Sequence, residues 1–361
     1  MADQEILLLV GTGKGGFLLS RKTGSEGWDM KGPFFAGRAV YAMMMDRRAG
    51  RDRIWAAATS WHFGAELVWS DDRGKTWDTP EEMRIKFPED TEKSLENIWQ
   101  IASGTDDDTL YCGVAPAALF ESKDAGATWS LNRGLWNHPH CAQWTPGFGG
   151  LCLHTIITDQ TDANKLTIAI STGGVYKSAD GGASWQVSNK GVTAYFLPDK
   201  YPEFGQCVHK IARHPRDKET LFLQNHHGVF RTRDNGANWE EIEKGLPSNF
   251  GFGLTVSRAG DVFIVPLDSD GVRYTCEGKL RVYRSRDEGD SWEACTEGLP
   301  QENAYEVILR DAVASDSRAD SGIYFGTKNG KLYESQDAGD TWSLIADSLP
   351  EIYCVKAVVT D

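Results

Sequence analysis

The residues of this 361-residue chain best suited to chemistry are its eight histidines, and they are unevenly placed. His62 sits in the string Ser60-Trp61-His62-Phe63-Gly64, and His138 and His140 fall in a long irregular stretch. His154 and His209 each follow a cysteine by two positions, in Cys152-Leu153-His154 and Cys207-Val208-His209. His226 and His227 follow Gln224-Asn225. Imidazole suits several transition metals, so three or four converging rings could hold one divalent ion (Zn, Fe, Mn or Cu) with an open position. The ligand set favoured here is His154, His209 and His226, with His62 as a fourth. Without a metal the same rings could act as acid–base groups, a role for which His138 and His140 are the candidates. A third reading has inner-strand histidines satisfying backbone groups and binding nothing. Residues two apart on a strand share a face, so Cys152 and Cys207 could complete a site of two thiolates and two imidazoles. Small thiols packed in an interior account for them equally simply.

Other polar groups offer a different chemistry. Glycosidic cleavage by paired carboxylates could draw on Asp268, Asp270 and Glu302, although no spacing marks a pair. Tyr305 is a candidate catalytic hydroxyl beside Glu306, but neighbours on a strand point to opposite faces. Arg38, Arg273, Arg281 and Arg310 could grip an anionic group, and Asn225 and His227 could contact a ligand. Gly11-Thr12-Gly13-Lys14-Gly15-Gly16 lacks phosphate-loop spacing and a following helix, and reads as a hairpin turn.

These residues must be positioned by a repeat. The pattern Ser-x-Asp-x-Gly-x-Ser/Thr-Trp occurs over Ser70–Trp77, Ser122–Trp129, Ser178–Trp185, Ser285–Trp292 and Ser335–Trp342, and with Thr first and Asn seventh over Thr232–Trp239. Copies lie roughly 50 residues apart, and a degenerate one with Ser20, Gly24 and Trp28 precedes them without the Asp. The carboxylate can accept backbone N–H bonds in a tight turn, glycine supplies a positive φ, and the tryptophan buries a large face. Short β-branched and aromatic runs flank each copy, such as Leu221 to Gln224 and Val229 to Arg231, and an earlier run opens each unit, as Val40 to Met45 does. Four strands per unit of this length is a propeller blade. The pattern predicts an all-β, seven-bladed propeller of four-stranded blades in one domain, 1–361.

The first unit has runs at Ile6 to Gly11, Phe17 to Arg21 and Trp28 to Lys31 but no opening strand. A spare run, Tyr353 to Val359, follows the last repeat, so it should complete the N-terminal blade and close the ring. The repeat turns then share one face with the first hairpin of each blade. The opposite face receives the long inserts Thr79 to Glu96, Asn132 to Gly150, Val192 to Gln206 and Asp268 to Lys279. Long structured loops gathered on one face mark a binding site. Seven of the eight histidines fall toward that face and only His214 toward the other. Trp136, Trp144, Phe148, Tyr195, Phe196 and Phe204 in the inserts could roof a pocket, and Met43 to Met45 should be core.

The repeats resemble those of the Asp-box (BNR) propellers, a group that includes sialidases, xyloglucan-cleaving glycosidases, sortilin-type receptor domains and photosystem-assembly factors. The resemblance covers nearly the whole chain and implies the fold. The strings Gly150-Leu151-Cys152-Leu153-His154, Gln206-Cys207-Val208-His209-Lys210 and Gln224-Asn225-His226 are similar to a group of bacterial cytoplasmic propellers commonly labelled exo-α-sialidase or glycosyl hydrolase. A sialidase would bring three arginines on a carboxylate, a Tyr with a Glu partner and an Arg-Ile-Pro near the N-terminus, and this chain has no Arg-Ile-Pro.

Composition narrows the partners. The net charge is −14 with no basic run, which argues against nucleic acid and anionic membranes. No apolar stretch approaches the roughly 18 residues of a membrane span. Seven cysteines, an odd number, with no export signal point to reduced thiols in the cytoplasm. The expected ligand is a small molecule or carbohydrate, with a protein partner on the same face as an alternative.

Overall fold

The structure, a computed structural model, describes residues 4–360 apart from 61, 63, 79, 81 and 82. Seven antiparallel sheets follow one another around a ring, and the innermost strands of successive sheets touch. Those inner strands are Ala39–Asp46, Asn97–Ser103, Leu153–Thr158, Val208–His214, Phe250–Val256, Val313–Ser315 and, last, Ile352–Thr360. The strand Ile352–Thr360 pairs antiparallel with Glu5–Thr12, placing Thr360 opposite Glu5 and Cys354 opposite Gly11. It thereby becomes the inner strand of the first blade, outside which lie Glu5–Thr12, Gly15–Lys22 and Asp29–Phe34. Closing the ring this way leaves neither edge of the N-terminal hairpin facing water as an unpaired inner edge.

Six sheets have four strands. The second has three (Ala39–Asp46, Arg53–Ser60 and Gly64–Ser70), and its fourth is reduced to one bridge between Trp69 and Asp78. The insert that follows contains Thr79, Glu81 and Glu82, which lie outside the described residues, as do Trp61 and Phe63.

Middle strands are buried on both faces because each blade is sandwiched between two others. They therefore read as unbroken apolar runs such as Leu110–Ala115 and Val262–Leu267 rather than alternating ones. The core consists of these inter-blade layers; one of them joins the sixth, seventh and first blades through Phe263, Phe325, Val355 and Val10.

The repeated motif folds the same way six times. The first Ser or Thr hydroxyl donates to one carboxylate oxygen of the Asp at 2.7–2.8 Å and accepts the glycine N–H at 2.6–2.9 Å. The seventh residue donates its N–H to the same carboxylate oxygen at 2.8–2.9 Å. Its side chain donates to the other oxygen at 2.6–2.7 Å. The residue before the glycine is also left-handed, at φ 55° for Arg73, Ala125 and Ala338 and 58° for Glu288, so each turn holds two consecutive positive-φ residues. Only the glycine was foreseen. The carboxylate bonds evidently outweigh the steric cost of a left-handed non-glycine residue, about 1–2 kcal/mol.

The string from Gly11 to Gly16 is the first hairpin, with Thr12 opposite Gly15. Met43 is core, while Met44 and Met45 are half-buried beside a cavity on the repeat-turn face. All seven cysteines are free thiols. Among the described residues no helix is long and apolar enough to cross a membrane.

Candidate functional site

One irregularity recurs where the inner strands begin. Tyr41, Trp99, His154, His209 and Tyr353 are each skipped in the pairing register of their strand, and Phe252 and Gly253 together are skipped in the sixth. A β-bulge inserts an extra residue and re-aims its side chain. Here the bulges collect large rings around the channel mouth. Tyr41 stacks on Tyr353 at 4.5 Å and meets Trp99 at 5.1 Å, the Arg310 guanidinium lies 5.3 Å from the Trp99 ring, and His209 stacks on Phe252 at 4.5 Å.

Above this ring, on the insert-bearing face, opens a cavity of about 670 Å³. Its walls come from the insert after the third blade (Gln143 to Gly149), the insert after the fourth (Phe196 to Gly205), Cys207, His209, His226, Phe252, Asp270, Arg273 and Arg310. A second space of about 400 Å³ shares Gly149, Phe252, Arg273 and Arg310 with it and reaches down to Tyr41, Trp99, Tyr353 and Asp311.

Two of the four favoured metal ligands, His209 and His226, meet here, their rings 5.3 Å apart. His154 does not join them. It is wholly buried, with Nδ1 3.0 Å from the Thr155 hydroxyl and Nε2 donating to the Val208 carbonyl at 2.9 Å. His62 is exposed in the turn after Arg53–Ser60, away from the cavity wall. Cys207 takes the third position instead: its sulfur lies 3.6 Å from His209 Nε2. Cys152 faces Arg310 at 3.5 Å. His138 and His140 form a wedge behind the wall. His140 stacks on Phe204 at 4.0 Å, lies 3.1 Å from the Tyr176 hydroxyl, and donates its N–H to His138 Nδ1 at 3.2 Å.

The remaining candidates divide similarly. Arg273 and Arg310 line the cavity. Arg38 is paired with Glu66 at 2.7 Å and Arg281 with Glu277 at 2.7 Å, both off the cavity wall. Asn225 is buried and donates to the Thr193 carbonyl at 2.8 Å, tying an insert to the turn that carries His226. His227 packs 4.6 Å from His226 on the side facing Tyr195. Glu302 and Tyr305 are exposed in the linker before the seventh blade, Tyr305 against Tyr274 at 5.1 Å. Glu306, in the same linker, is buried on Lys331 at 2.8 Å. Asp270 is exposed at the rim and lies 3.3 Å from His226 Nε2, whereas Asp268 is outside the wall. Of the insert aromatics, Phe148, Phe196 and Phe204 line the cavity. Trp144 is buried against Tyr176 and Trp136 packs on Phe87.

Two arginines and two acids, Asp270 and Glu203, face the cavity. Arg273 donates to the Asp270 backbone carbonyl and Arg310 to the Cys152 sulfur. Among the described residues neither makes an ion pair with a carboxylate. Burial, with Arg310 adding to it, pushes the His209 imidazole well below its ordinary range, and burial lowers His226 against the opposing pull of Asp270. Both rings are therefore neutral at pH 7. The His226 hydrogen bond holds the Asp270 carboxyl below its ordinary value, and burial raises the Cys207 thiol.

The floor was not foreseen. Lys210 Nζ donates to Asp311 at 2.6 Å and Lys356 Nζ to the same oxygen at 3.2 Å, joining the fifth blade, the seventh and the closing strand across the channel. Burial alone would raise the Asp311 carboxyl, and the two ammonium groups more than reverse it. The signal available was Lys356, the one charge in the closing strand Ile352–Thr360.

No family model matches the chain. A xyloglucanase from Hypocrea jecorina (strain QM6a) is 22% identical over 268 residues, which is 74% of this chain and 26% of the relative, so the chain spans about a quarter of that protein's length. Among solved structures, an ancestral GH74 enzyme superposes with a TM-score of 0.58 at 16% identity, over 85% of this chain and 38% of that one. A structure described as YCF48 bound to D1 peptide gives 0.52 at 14% identity, over 85% and 82%. At these identities the likeness to the solved structures is one of fold: a ring of four-stranded β-blades.

Proposed function

We propose that this propeller is a glycan-acting, hydrolase-like protein whose site is the cavity at the channel mouth, and that its sugar carries a carboxylate or a comparable anionic group. The observation that carries the reading is the pair Arg273 and Arg310, two guanidinium groups in one cavity with no carboxylate partner among the described residues. Guanidinium matches carboxylate and phosphate geometry through parallel N–H donors. The wall also carries Asp270 and Glu203, which balance the two cations in total, so an anion would be selected by the guanidinium donors left without an ion pair rather than by net charge. The cavity volume of about 670 Å³ fits a small ligand. Phe148, Phe196, Phe204 and Phe252 supply faces on which a sugar ring can rest. Asp270 and Glu203 are the two acids on the wall and are the groups that a glycosidic cleavage would draw on. The xyloglucanase likeness supports the glycan class. Seven free thiols support a reducing compartment, the cytosol.

The test is calorimetric titration with matched acidic and neutral oligosaccharides, using the wild type and Arg310→Met. Acidic sugars should bind, with affinity lost about tenfold or more in the variant, since a charged hydrogen bond contributes roughly 1.5–3 kcal/mol. Equal binding of neutral sugars, or an unaffected variant, would remove the anionic part of the reading.

A second reading, a protein-docking face, is favoured by the exposed rings of Phe148, Tyr195, Phe196, Tyr201, Tyr274 and Tyr305 on the same loops. The peptide in the YCF48 structure is in keeping with it. It predicts that sugars of both kinds fail to bind while aromatic peptides bind, and that Phe148→Ser together with Tyr201→Ser abolishes that binding.

A further inference from the structure

We propose that Cys207, His209 and His226 form a site for one zinc-class divalent metal ion, with its remaining coordination position open to the cavity. One thiol and two imidazoles present donor atoms that all lie within 4.8 Å of one another. Tetrahedral zinc, with bonds of about 2.3 Å to sulfur and about 2.0 Å to nitrogen, holds those two atoms roughly 3.6 Å apart. The separation of Cys207 Sγ and His209 Nε2 is 3.6 Å.

The surrounding groups orient the donors. His209 Nδ1 lies 2.6 Å from the Gly251 carbonyl oxygen, which can only accept, so the ring proton sits on Nδ1. The Nε2 lone pair is thereby turned toward Cys207. Stacking on Phe252, with an interplanar angle of 29°, fixes the ring plane. Asp270 stands 3.3 Å from His226 Nε2, and a carboxylate in that position holds the ring and raises the basicity of its other nitrogen. Cys207 is a buried thiol that a metal ion would bind as thiolate. A sulfur and two nitrogens suit zinc better than the hard cations calcium or magnesium.

The two arginines sharpen the assignment. A dication beside Arg273 and Arg310, offset by the Cys207 thiolate, Asp270 and Glu203, still leaves one positive charge in excess around the open position. An anionic exogenous ligand would complete it. That last step rests on the acidic-sugar reading above; the three-residue site does not.

The experiment uses the full chain, stripped with a chelator and then titrated with Co(II), followed by displacement with Zn(II). One equivalent should give an intense tetrahedral d–d spectrum and a sulfur-to-cobalt charge-transfer band in the near ultraviolet. Zn(II) should abolish both. In Cys207→Ser the charge-transfer band should vanish. His209→Gln and His226→Gln should each weaken Co(II) binding about 100-fold or more, while His227→Gln should bind like the wild type. Far-ultraviolet circular dichroism of each variant confirms that the blades are intact. No uptake by the folded wild type overturns the proposal. So does a charge-transfer band that survives Cys207→Ser, or cobalt bound without sulfur and lost in His227→Gln, which would place the ion on His226, His227 and Asp270. Since no sugar is present, failure here leaves the acidic-sugar reading standing, and the Arg310→Met titration tests that reading separately.

Discussion

Replacing Asp311 with asparagine is the most informative single change to the channel floor. The side chain keeps its shape and can still accept from Lys210 and Lys356, now 2.6 Å and 3.2 Å from the shared oxygen, but it loses the charge between them. Two ammonium groups then face each other with the Lys210 side chain 12% and the Lys356 side chain 30% exposed. Removing the partner of a buried charge costs about 3–5 kcal/mol. An unfolding entropy of roughly 2.1 cal/mol/K per residue over 361 residues is about 0.8 kcal/mol/K, which converts the loss to a fall of about 4–6 °C in Tm. The sign of the pH dependence identifies the cause. In the variant a lysine ammonium is destabilised in the folded state, so the unfolded chain binds more protons as pH rises toward the ordinary lysine range. Stability of the variant must then recover with pH. Calorimetric melts of wild type and Asp311→Asn at pH 7 and pH 9.5 should show the gap narrowing at the higher pH. Adding Lys210→Met to the variant should restore most of the loss at pH 7. A variant that melts within a degree of wild type, or a gap indifferent to pH, would refute the view that Asp311 holds two buried cations.

Two further predictions concern the repeats. Trp185 is buried and donates to the Gly182 carbonyl at 3.1 Å and to Asn132 Oδ1 at 3.2 Å, so Trp185→Ala should cost about 3–5 kcal/mol in urea unfolding with Co(II) binding unchanged. Altered metal binding at full stability would contradict a purely structural role. The carboxyls of Asp72, Asp180 and Asp234 are drawn from 3.8 to about 2 mainly by hydrogen bonds from the residue four positions on. A folded-state pKa below the unfolded one contributes stability that is complete above about pH 4 and lost as pH falls through 2. Thermal melts between pH 5 and pH 2 should decline steeply, less so in the triple Asp→Ala variant, and parallel curves would exclude the turns as the source.

The blades were legible in the sequence because their signal is local. The bonds among the serine, aspartate, glycine and seventh residue of a repeat turn span at most four residues, so Ser178, Asp180, Gly182 and Ser184 announce the turn by spacing alone. The closing strand followed from counting runs. The site was legible as a place and not as a set of partners. His154 and His209 look equivalent in sequence and occupy equivalent bulges, yet one ring meets the Val208 carbonyl and a hydroxyl while the other meets Gly251 and an open cavity. That difference is made by the next blade in each case. Arg38 and Arg310 differ likewise, since Glu66, on the third strand of the same blade, neutralises the first, while Asp311, next in sequence to the second, is held by two lysines. Arg281 could have been discounted from Glu277 four residues earlier.

The lysine–aspartate bridge across the channel also governs traffic. The spaces above it and the cavity on the repeat-turn face are lined by different residues, with Asp311 reached from one side and Lys356 from the other. Among the described residues the cavity and the space on the repeat-turn face share no lining residue, and the cavity opens on the insert-bearing face, where Phe148 and Phe196 stand. On the proposed glycan-acting reading, a product would leave by the face through which its substrate entered. A polymer cannot be threaded through; it can offer the cavity only a terminus or a side branch.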